Sequence, residues 1–144
     1  MIHNSIGSRM FQAGYAEING KKTEVTKGGD LSCAFFVSGV LSIFNLIDNI
    51  HATVANTIKQ MEMAGWKKTK KLTPGCVLVW QKQKDENGEE HAHIGFFVGN
   101  EQAISNSSKQ RVPIKHQYTF GEVDDMPTRK IVSIFQHPKI ICNE

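Results

Sequence analysis

The spacing of apolar residues changes near Gly65, and this change limits the folds that the chain can adopt. Before it, apolar side chains recur every three or four residues, which is the period of one helix face. The first such stripe covers residues 33–47 and consists of Cys33, Phe36, Val37, Val40, Leu41, Phe44 and Ile47. A second helix is predicted over residues 49–64, with an apolar face of Ile50, Val54, Ile58 and Met61. Asp48 is its candidate N-cap and Gly65 its candidate end.

The part of the chain after Gly65 has the pattern of β-strands, with β-branched and aromatic runs separated by turn signals. The predicted strands are residues 76–81, 91–99, 103–107, 112–120 and 130–137. Helices followed by strands, without β–α–β alternation, predict an α+β fold in which N-terminal helices pack on an antiparallel sheet of about five strands. Residues 5–16 predict a short helix, and residues 19–30 predict turns and loop. Because no linker and no internal repeat is visible, residues 1–144 are predicted to form one domain.

The charge and the cysteine content argue against several classes of protein. The formal net charge is +3 and the isoelectric point is about 8.8, which is too mild to indicate nucleic-acid binding. The lysine-rich residues 67–71 predict a solvated loop, with contact to an anionic substrate or surface as the alternative. The three cysteines have no close spacing, so neither a disulfide framework nor a cysteine-rich zinc site is predicted.

No segment predicts secretion or membrane insertion. Residues 1–10 lack the basic and apolar regions of a signal peptide. The apolar run over residues 33–47 is interrupted by polar residues and is too short to span a bilayer. A reducing, cytoplasmic location is therefore expected, with export by another route as the alternative.

Cys33 lies in the first turn of the first predicted helix, on its apolar stripe. Unpaired amide N–H groups and the helix dipole favour an anion at this position, so a depressed thiol pKa and a nucleophilic role are predicted. Asp30 or Ser32 is the expected N-cap of this helix. The alternative is a core cysteine that acts as a small apolar filler.

A thiol nucleophile needs a base, and the strand over residues 91–99 carries His91 and His93 on one face. Gly95 continues that face and leaves room for another group to approach, which favours His93 as the base. Two histidines at this spacing can also bind a metal ion. The acidic residues that usually accompany them in such sites are missing from this strand, so no metal and no cofactor are predicted.

A third group has to orient the imidazole. Asn106 lies on the next predicted strand, and we prefer it because an amide oxygen can accept a hydrogen bond from the ring. Ser105 and His116 are weaker candidates.

Three blocks, in order over residues 28–108, resemble motifs of the NlpC-like cell-wall cysteine peptidases. "CAFFVSGVL" resembles the helix start "C-S-G-F-V-S-x-V-L", and "GWKKTKKLTPGCVLVW" resembles the strand motif "P-G-D-(L/V)-V-x-(F/W)". "HIGFFVGNEQAIS" resembles the strand pair "H-V-G-(I/F)-Y-(I/V)-G-N-G-x-x-I". The family has a papain-like fold and is related to the CHAP amidases, and the resemblance implies Cys33 as nucleophile and His93 as base.

The resemblance leaves the third residue open. A gapless alignment places it at Ser105, and Asn106 requires an offset of one residue. The family can use an upstream tyrosine in its oxyanion hole, for which Tyr15 is the candidate. The chain departs from the family at "DLSC", where the usual motif is "DC", and at the two residues after the cysteine.

The expected function is thus that of a thiol-dependent amide hydrolase, a cysteine peptidase or amidase with a Cys33–His93–Asn106 triad and a thioester intermediate. The resemblance implies a peptide or peptidoglycan-fragment substrate. A catalytically inactive binding module on the same fold and an acyltransferase are the alternatives. No nucleic-acid or membrane partner is expected, and the oligomeric state is left open.

Overall fold

The computed structural model describes residues 1–29 and 31–140. Its two α-helices are α1, Cys33–Ile43, and α2, Val54–Met63. Its strands are β1 (Tyr15–Ile18), β2 (Lys21–Glu24), β3 (Lys67–Lys68), β4 (Val77–Lys84), β5 (Glu90–Gly99), β6 (Gln102–Asn106), β7 (Pro113–Gln117), β8 (Glu122–Val123), β9 (Met126–Pro127) and β10 (Ile131–Gln136). The fold class is α+β, and this prediction is confirmed.

The central sheet has six antiparallel strands in the order β3-β10-β4-β5-β6-β7. Strands β4 to β7 form a meander, and β10 returns to pair with β4 on its other side. These five strands are the ones that the sequence predicts. The sheet is larger than predicted because β3, two residues within the lysine-rich stretch, extends it beyond β10. Two separate hairpins, β1–β2 and β8–β9, complete the set of strands.

Helix α1 packs its apolar stripe on one face of this sheet. The buried apolar side chains of the stripe are Phe36, Val37, Val40 and Leu41, and they contact the sheet residues Ile94, Phe96 and Ile104 in one core cluster. The rings of Phe36 and Phe96 meet edge to face, with centroids 5.6 Å apart. The helix ends at Ile43, earlier than predicted, so Phe44 is 54% exposed and Ile47 is buried from the loop that follows.

Helix α2 begins later than predicted. Thr53, not Asp48, is its N-cap, and its side-chain oxygen accepts a hydrogen bond from the Asn56 amide. Ile50, predicted on the buried face, lies before the helix and is exposed. The predicted end of the helix is confirmed, because Gly65 follows it with a φ of +96°, a conformation that favours glycine.

The N-terminal region differs from its prediction. Residues 5–16 do not form a helix: they contribute to 3₁₀ turns at His3–Ser5 and Arg9–Phe11 and then enter β1. β1 pairs with β2, within the segment predicted as loop, across a turn at Asn19 and Gly20 that have positive φ angles. Both strands are largely exposed, so the apolar alternation that reveals a half-buried strand is absent here.

No helix in the described ranges has the length and apolar content that crossing a membrane requires. Cys33 and Cys76 form no disulfide within these ranges. Cys142 and Asp30, the latter one of the two predicted helix caps, lie outside the described residues. Ser32 occupies the N-cap position of α1, but its hydroxyl makes no capping hydrogen bond there.

Candidate active site

Cys33 and His93 line the same cleft, which has a volume of about 520 Å³. Cys33 is the first residue of α1, and His93 lies in the first half of β5. In the register of this strand pair, β6 ends opposite Ile94. Strand β5 therefore extends beyond β6 at His93, where its edge is open. The beginning of α2 forms another wall of the cleft.

The sulfur of Cys33 lies against the backbone of β5 beside His93. The amide N–H of Ile94, the residue that directly follows His93, donates a hydrogen bond to the sulfur. The amide of Ala34, in the first turn of α1, also interacts with it. Cys33 and His93 therefore both border this cleft, with the sulfur beside the backbone of β5 at Ile94.

The predicted depression of the Cys33 pKa is not found. Burial raises the pKa of this thiol, and the amides of Ile94 and Ala34 and the charge of Arg129 only partly oppose that effect. The physical reason is that the sulfur packs against fully buried neighbours and loses more hydration than the first helical turn replaces. Cys33 is therefore a neutral thiol at neutral pH.

The imidazole of His93 is also neutral. Burial, together with the charges of Arg129 and His116, lowers the pKa of His93 to about 3. Its Nε2 atom lies 2.8 Å from the hydroxyl oxygen of Ser105. Its Nδ1 atom has no hydrogen bond to any described residue, and the residue borders the cleft in which Cys33 lies.

A chain of three hydrogen bonds determines which nitrogen of His93 carries the proton. Nδ1 of His116 lies 2.7 Å from the carbonyl oxygen of Gln117, which can only accept, so this nitrogen carries a proton and donates it. Burial lowers the pKa of His116 and keeps the ring neutral, so its Nε2 accepts from the Ser105 hydroxyl at 2.7 Å. The oxygen of Ser105 must then accept from Nε2 of His93. The lone pair of His93 is left on Nδ1, the atom free to act as a base.

Aromatic rings pack against this hydrogen-bond chain and hold it in place. The Trp80 ring centroid lies 5.3 Å from that of His93 and 5.7 Å from that of His116. Phe120 stacks on His116 with centroids 4.1 Å apart. Trp80 is itself fixed, because its indole N–H donates to the carbonyl oxygen of Tyr118 at 2.7 Å. The same enclosure explains why both imidazoles stay neutral.

Asn106, the preferred third triad residue in the sequence analysis, is not brought to His93. Its side-chain amide donates to the carbonyl oxygen of Gly29 at 2.8 Å, and its oxygen has no partner among the described residues. The one-residue offset that Asn106 required is absent, since the irregularity between β5 and β6 lies nearer their turn. Alternation then puts Ser105 on the face of His93 and Asn106 on the face of α1. Asn106 therefore anchors the loop that leads to Cys33.

Gly95 makes room for this arrangement, as the sequence predicts. A Cβ atom on Gly95 would lie 2.7 Å from the Cβ of Ser105 and 3.1 Å from the Trp80 ring. A side chain at this position would displace Ser105 from the ring of His93, so glycine is required for the close approach.

His91 belongs to a different cluster. Its Nε2 lies 3.2 Å from a carboxylate oxygen of Asp85 and 3.4 Å from one of Glu89, at the outer end of the cleft. The ligand atoms of these three side chains lie within 4.8 Å of one another, and the two acidic residues are exposed. His93 does not join the cluster of Asp85, Glu89 and His91, because its Nε2 bonds to Ser105. The two histidines therefore have different hydrogen-bond partners.

Arg129 was not predicted as a site residue; it lies between β9 and β10 and borders the cleft with Cys33 and His93. No local pattern indicates it, because it reaches the site only through the return of the chain to β10. Tyr15, the tyrosine suggested by the resemblance, is 58% exposed on β1 and does not border this cleft.

The comparisons with known proteins do not assign the chain to a family. No family model matches it, and no curated protein does.

Proposed function

We propose that the protein is a thiol-dependent amide hydrolase, with Cys33 as nucleophile and His93 as base. One observation carries this proposal: the sulfur of Cys33 is held by the amide of Ile94 on the cleft that His93 also borders. The hydrogen-bond chain through Ser105 and His116 supports it, because it leaves the basic lone pair of His93 on Nδ1, which no described residue binds.

In the proposed reaction, Nδ1 of His93 takes the proton of the Cys33 thiol as the sulfur attacks the amide carbonyl carbon. The N–H of Cys33, at the start of α1, donates to the developing oxyanion. The C–N bond then breaks, and the departing amine receives the proton from Nδ1. Water attacks the thioester and gives a proton to Nδ1, which returns it to the departing sulfur and restores the thiol.

The neutral state of both groups gives this site a particular requirement. A thiol with a raised pKa and an imidazole with a lowered one do not form an ion pair at rest, so proton transfer accompanies the attack on the substrate. A substrate that fills the cleft also displaces water beside the sulfur. Activity is therefore expected to depend strongly on substrate binding, and reaction with small thiol reagents should be slow.

The papain-like fold and the cell-wall substrate remain part of the proposal. The order of the elements supports them: a helix that begins with the cysteine packs on an antiparallel sheet, and a strand in the middle of that sheet carries the histidine. A peptidoglycan stem-peptide amide is the substrate class we propose to test first, together with ordinary peptides.

A binding module on the same fold is the second candidate, and the raised pKa of Cys33 favours it, because a thiol that stays protonated is a poor nucleophile. A panel of muropeptides and peptides incubated with the wild-type protein and with Cys33→Ala, read by mass spectrometry, separates the two. Hydrolysis by the wild type alone supports the hydrolase, and a product joined to an added amine indicates acyl transfer. Equal hydrolysis by Cys33→Ala, or binding without turnover by both proteins, contradicts the proposal.

A further inference from the structure

Arg129 is held in a fixed position at the cleft by two backbone carbonyl groups. Its Nε donates to the carbonyl oxygen of Gln81 at 3.0 Å, and its Nη2 donates to that of His91 at 2.8 Å. Gln81 lies in β4 and His91 in β5, and the pairing of these strands is irregular between Trp80 and Gln83. At this irregularity, the carbonyl groups of Gln81 and His91 are available to accept hydrogen bonds, and the guanidinium of Arg129 donates to both. Its position is therefore set by backbone groups, with no acidic side chain of residues 1–29 or 31–140 bonded to it.

The positive charge of Arg129 is not matched in the described part of the chain. No carboxylate there lies within 4.0 Å of its guanidinium. Of the two acidic residues that line the cleft, Asp85 pairs with His91, and Glu90 pairs with no cation among the described residues. Arginine at a partly buried position normally has a carboxylate or phosphate partner, because the fork of N–H groups fits two oxygen atoms. Two of its five N–H groups donate to backbone carbonyls, and the other three have no hydrogen-bond partner among the described residues.

The charge acts at the place where the reaction would occur. Arg129 borders the cleft together with Cys33 and His93, and its charge influences both groups. The first turn of α2, whose N–H groups point along the helix axis away from the helix body, borders the same space. An anionic substrate group would thus meet the charge of Arg129 and the N-terminus of α2 in a cleft that Asp85 and Glu90 also line.

We propose that Arg129 forms an anion subsite that binds a carboxylate of the substrate close to the scissile amide. This inference rests on the proposed function for the position of the amide, but the subsite itself is independent of turnover. It predicts that the preferred substrates carry a free carboxylate on the residue next to the bond that is cleaved, and that their amidated forms are poor substrates.

Two alkylating reagents of nearly equal size test the subsite at Cys33. Iodoacetate carries a carboxylate and iodoacetamide does not, and peptide mapping by mass spectrometry measures the rate of each at Cys33. The ratio of the two rates in the folded protein is compared with the ratio at the same residue in the chain unfolded in urea. We expect the folded protein to favour iodoacetate by about tenfold relative to the unfolded chain. Arg129→Gln should remove this preference, and Arg129→Lys should retain part of it.

A binding measurement without the thiol separates this inference from the proposed function. Cys33→Ser protein is titrated with N-acetylalanine and with its amide, and the NMR resonance of the Arg129 Nε–H is followed. Saturable shifts with the carboxylate but not with the amide support the subsite, even if Cys33 reacts with neither reagent and the hydrolase proposal fails. If Cys33 reacts with both reagents at the unfolded-chain ratio, or if neither ligand shifts the resonance, the anion subsite is wrong. A circular dichroism spectrum of each variant confirms that it folds.

Discussion

Replacing His93 by glutamine should make the fold less sensitive to acid, by an amount that follows from the burial of the imidazole. In the folded protein the pKa of His93 is about 3, whereas a histidine in an unfolded chain titrates near 6.5. Between these values the unfolded chain binds a proton that the folded protein does not. Stability contributed by the neutral ring is therefore complete above pH 6.5 and is lost as the pH falls toward 3.

The loss of folding stability expected at pH 5 follows from these two pKa values. Proton binding by the unfolded state alone lowers the free energy of unfolding by about 2 kcal/mol relative to pH 7.5. The value is insensitive to the folded-state pKa as long as that pKa is below about 4, because the folded ring is then almost entirely neutral at pH 5.

Urea unfolding of the wild type and of His93→Gln at pH 7.5 and pH 5 measures the contribution of His93 to this loss of stability. Glutamine can still donate to Ser105 from its amide nitrogen, so the hydrogen-bond chain is retained while the titrating group is removed. The wild type should lose about 2 kcal/mol more than the variant between the two pH values. His3→Gln, at an exposed histidine, is the matched control and should follow the wild type. Equal losses in the wild type and His93→Gln would show that His93 is not buried in the neutral form, and the proton assignment along the chain would then fail.

Three further substitutions test a close contact and two hydrogen-bonded hydroxyl groups of the structure. Gly95→Ala should lower the free energy of unfolding by about 1–3 kcal/mol, measured in urea, because its Cβ would overlap Ser105. Ser105→Ala should slow the alkylation of Cys33 by about tenfold or more, since the neighbouring imidazole is no longer held in one tautomer; an unchanged rate would contradict the hydrogen-bond chain. Ser38→Ala should cost about 1–3 kcal/mol, because the buried hydroxyl accepts from the His51 amide at 2.8 Å and donates to the His51 carbonyl at 3.1 Å; a loss below about 0.5 kcal/mol would mean that water replaces it.

The elements with a buried face were predictable from the sequence. The stripe from Cys33 to Leu41 and the alternation of residues 91–99 both reflect burial on one side, and both elements form where expected. The hairpin of β1 and β2 was not predictable in this way, because exposed strands impose no apolar period. The N-terminus of α2 was misplaced because apolar spacing alone extended the helix to Ile50, while the Thr53 cap decides where it begins.

The candidate site was predictable in part, for a related reason. Cys33 and His93 are indicated by local patterns, a helix start and a strand face. The choice between Ser105 and Asn106 depends on the register of β5 and β6, which is set by the irregularity near their turn and leaves no local signal at either residue. Arg129 depends on the return of the chain to the sheet. The sign of the Cys33 pKa shift depends on burial by distant residues, which outweighs the helix start that the sequence reveals.

The coupling of Cys33 to His93 is most directly tested by the rate of iodoacetamide alkylation at Cys33 in the wild type and in His93→Gln, with buried Cys76 in the same molecule as the internal control. If Nδ1 of His93 takes the thiol proton, Cys33 of the variant should react at about one tenth of the wild-type rate or more slowly. The rate at Cys76 should be unchanged. Equal rates at Cys33 in the two proteins would show that the imidazole does not act on this sulfur.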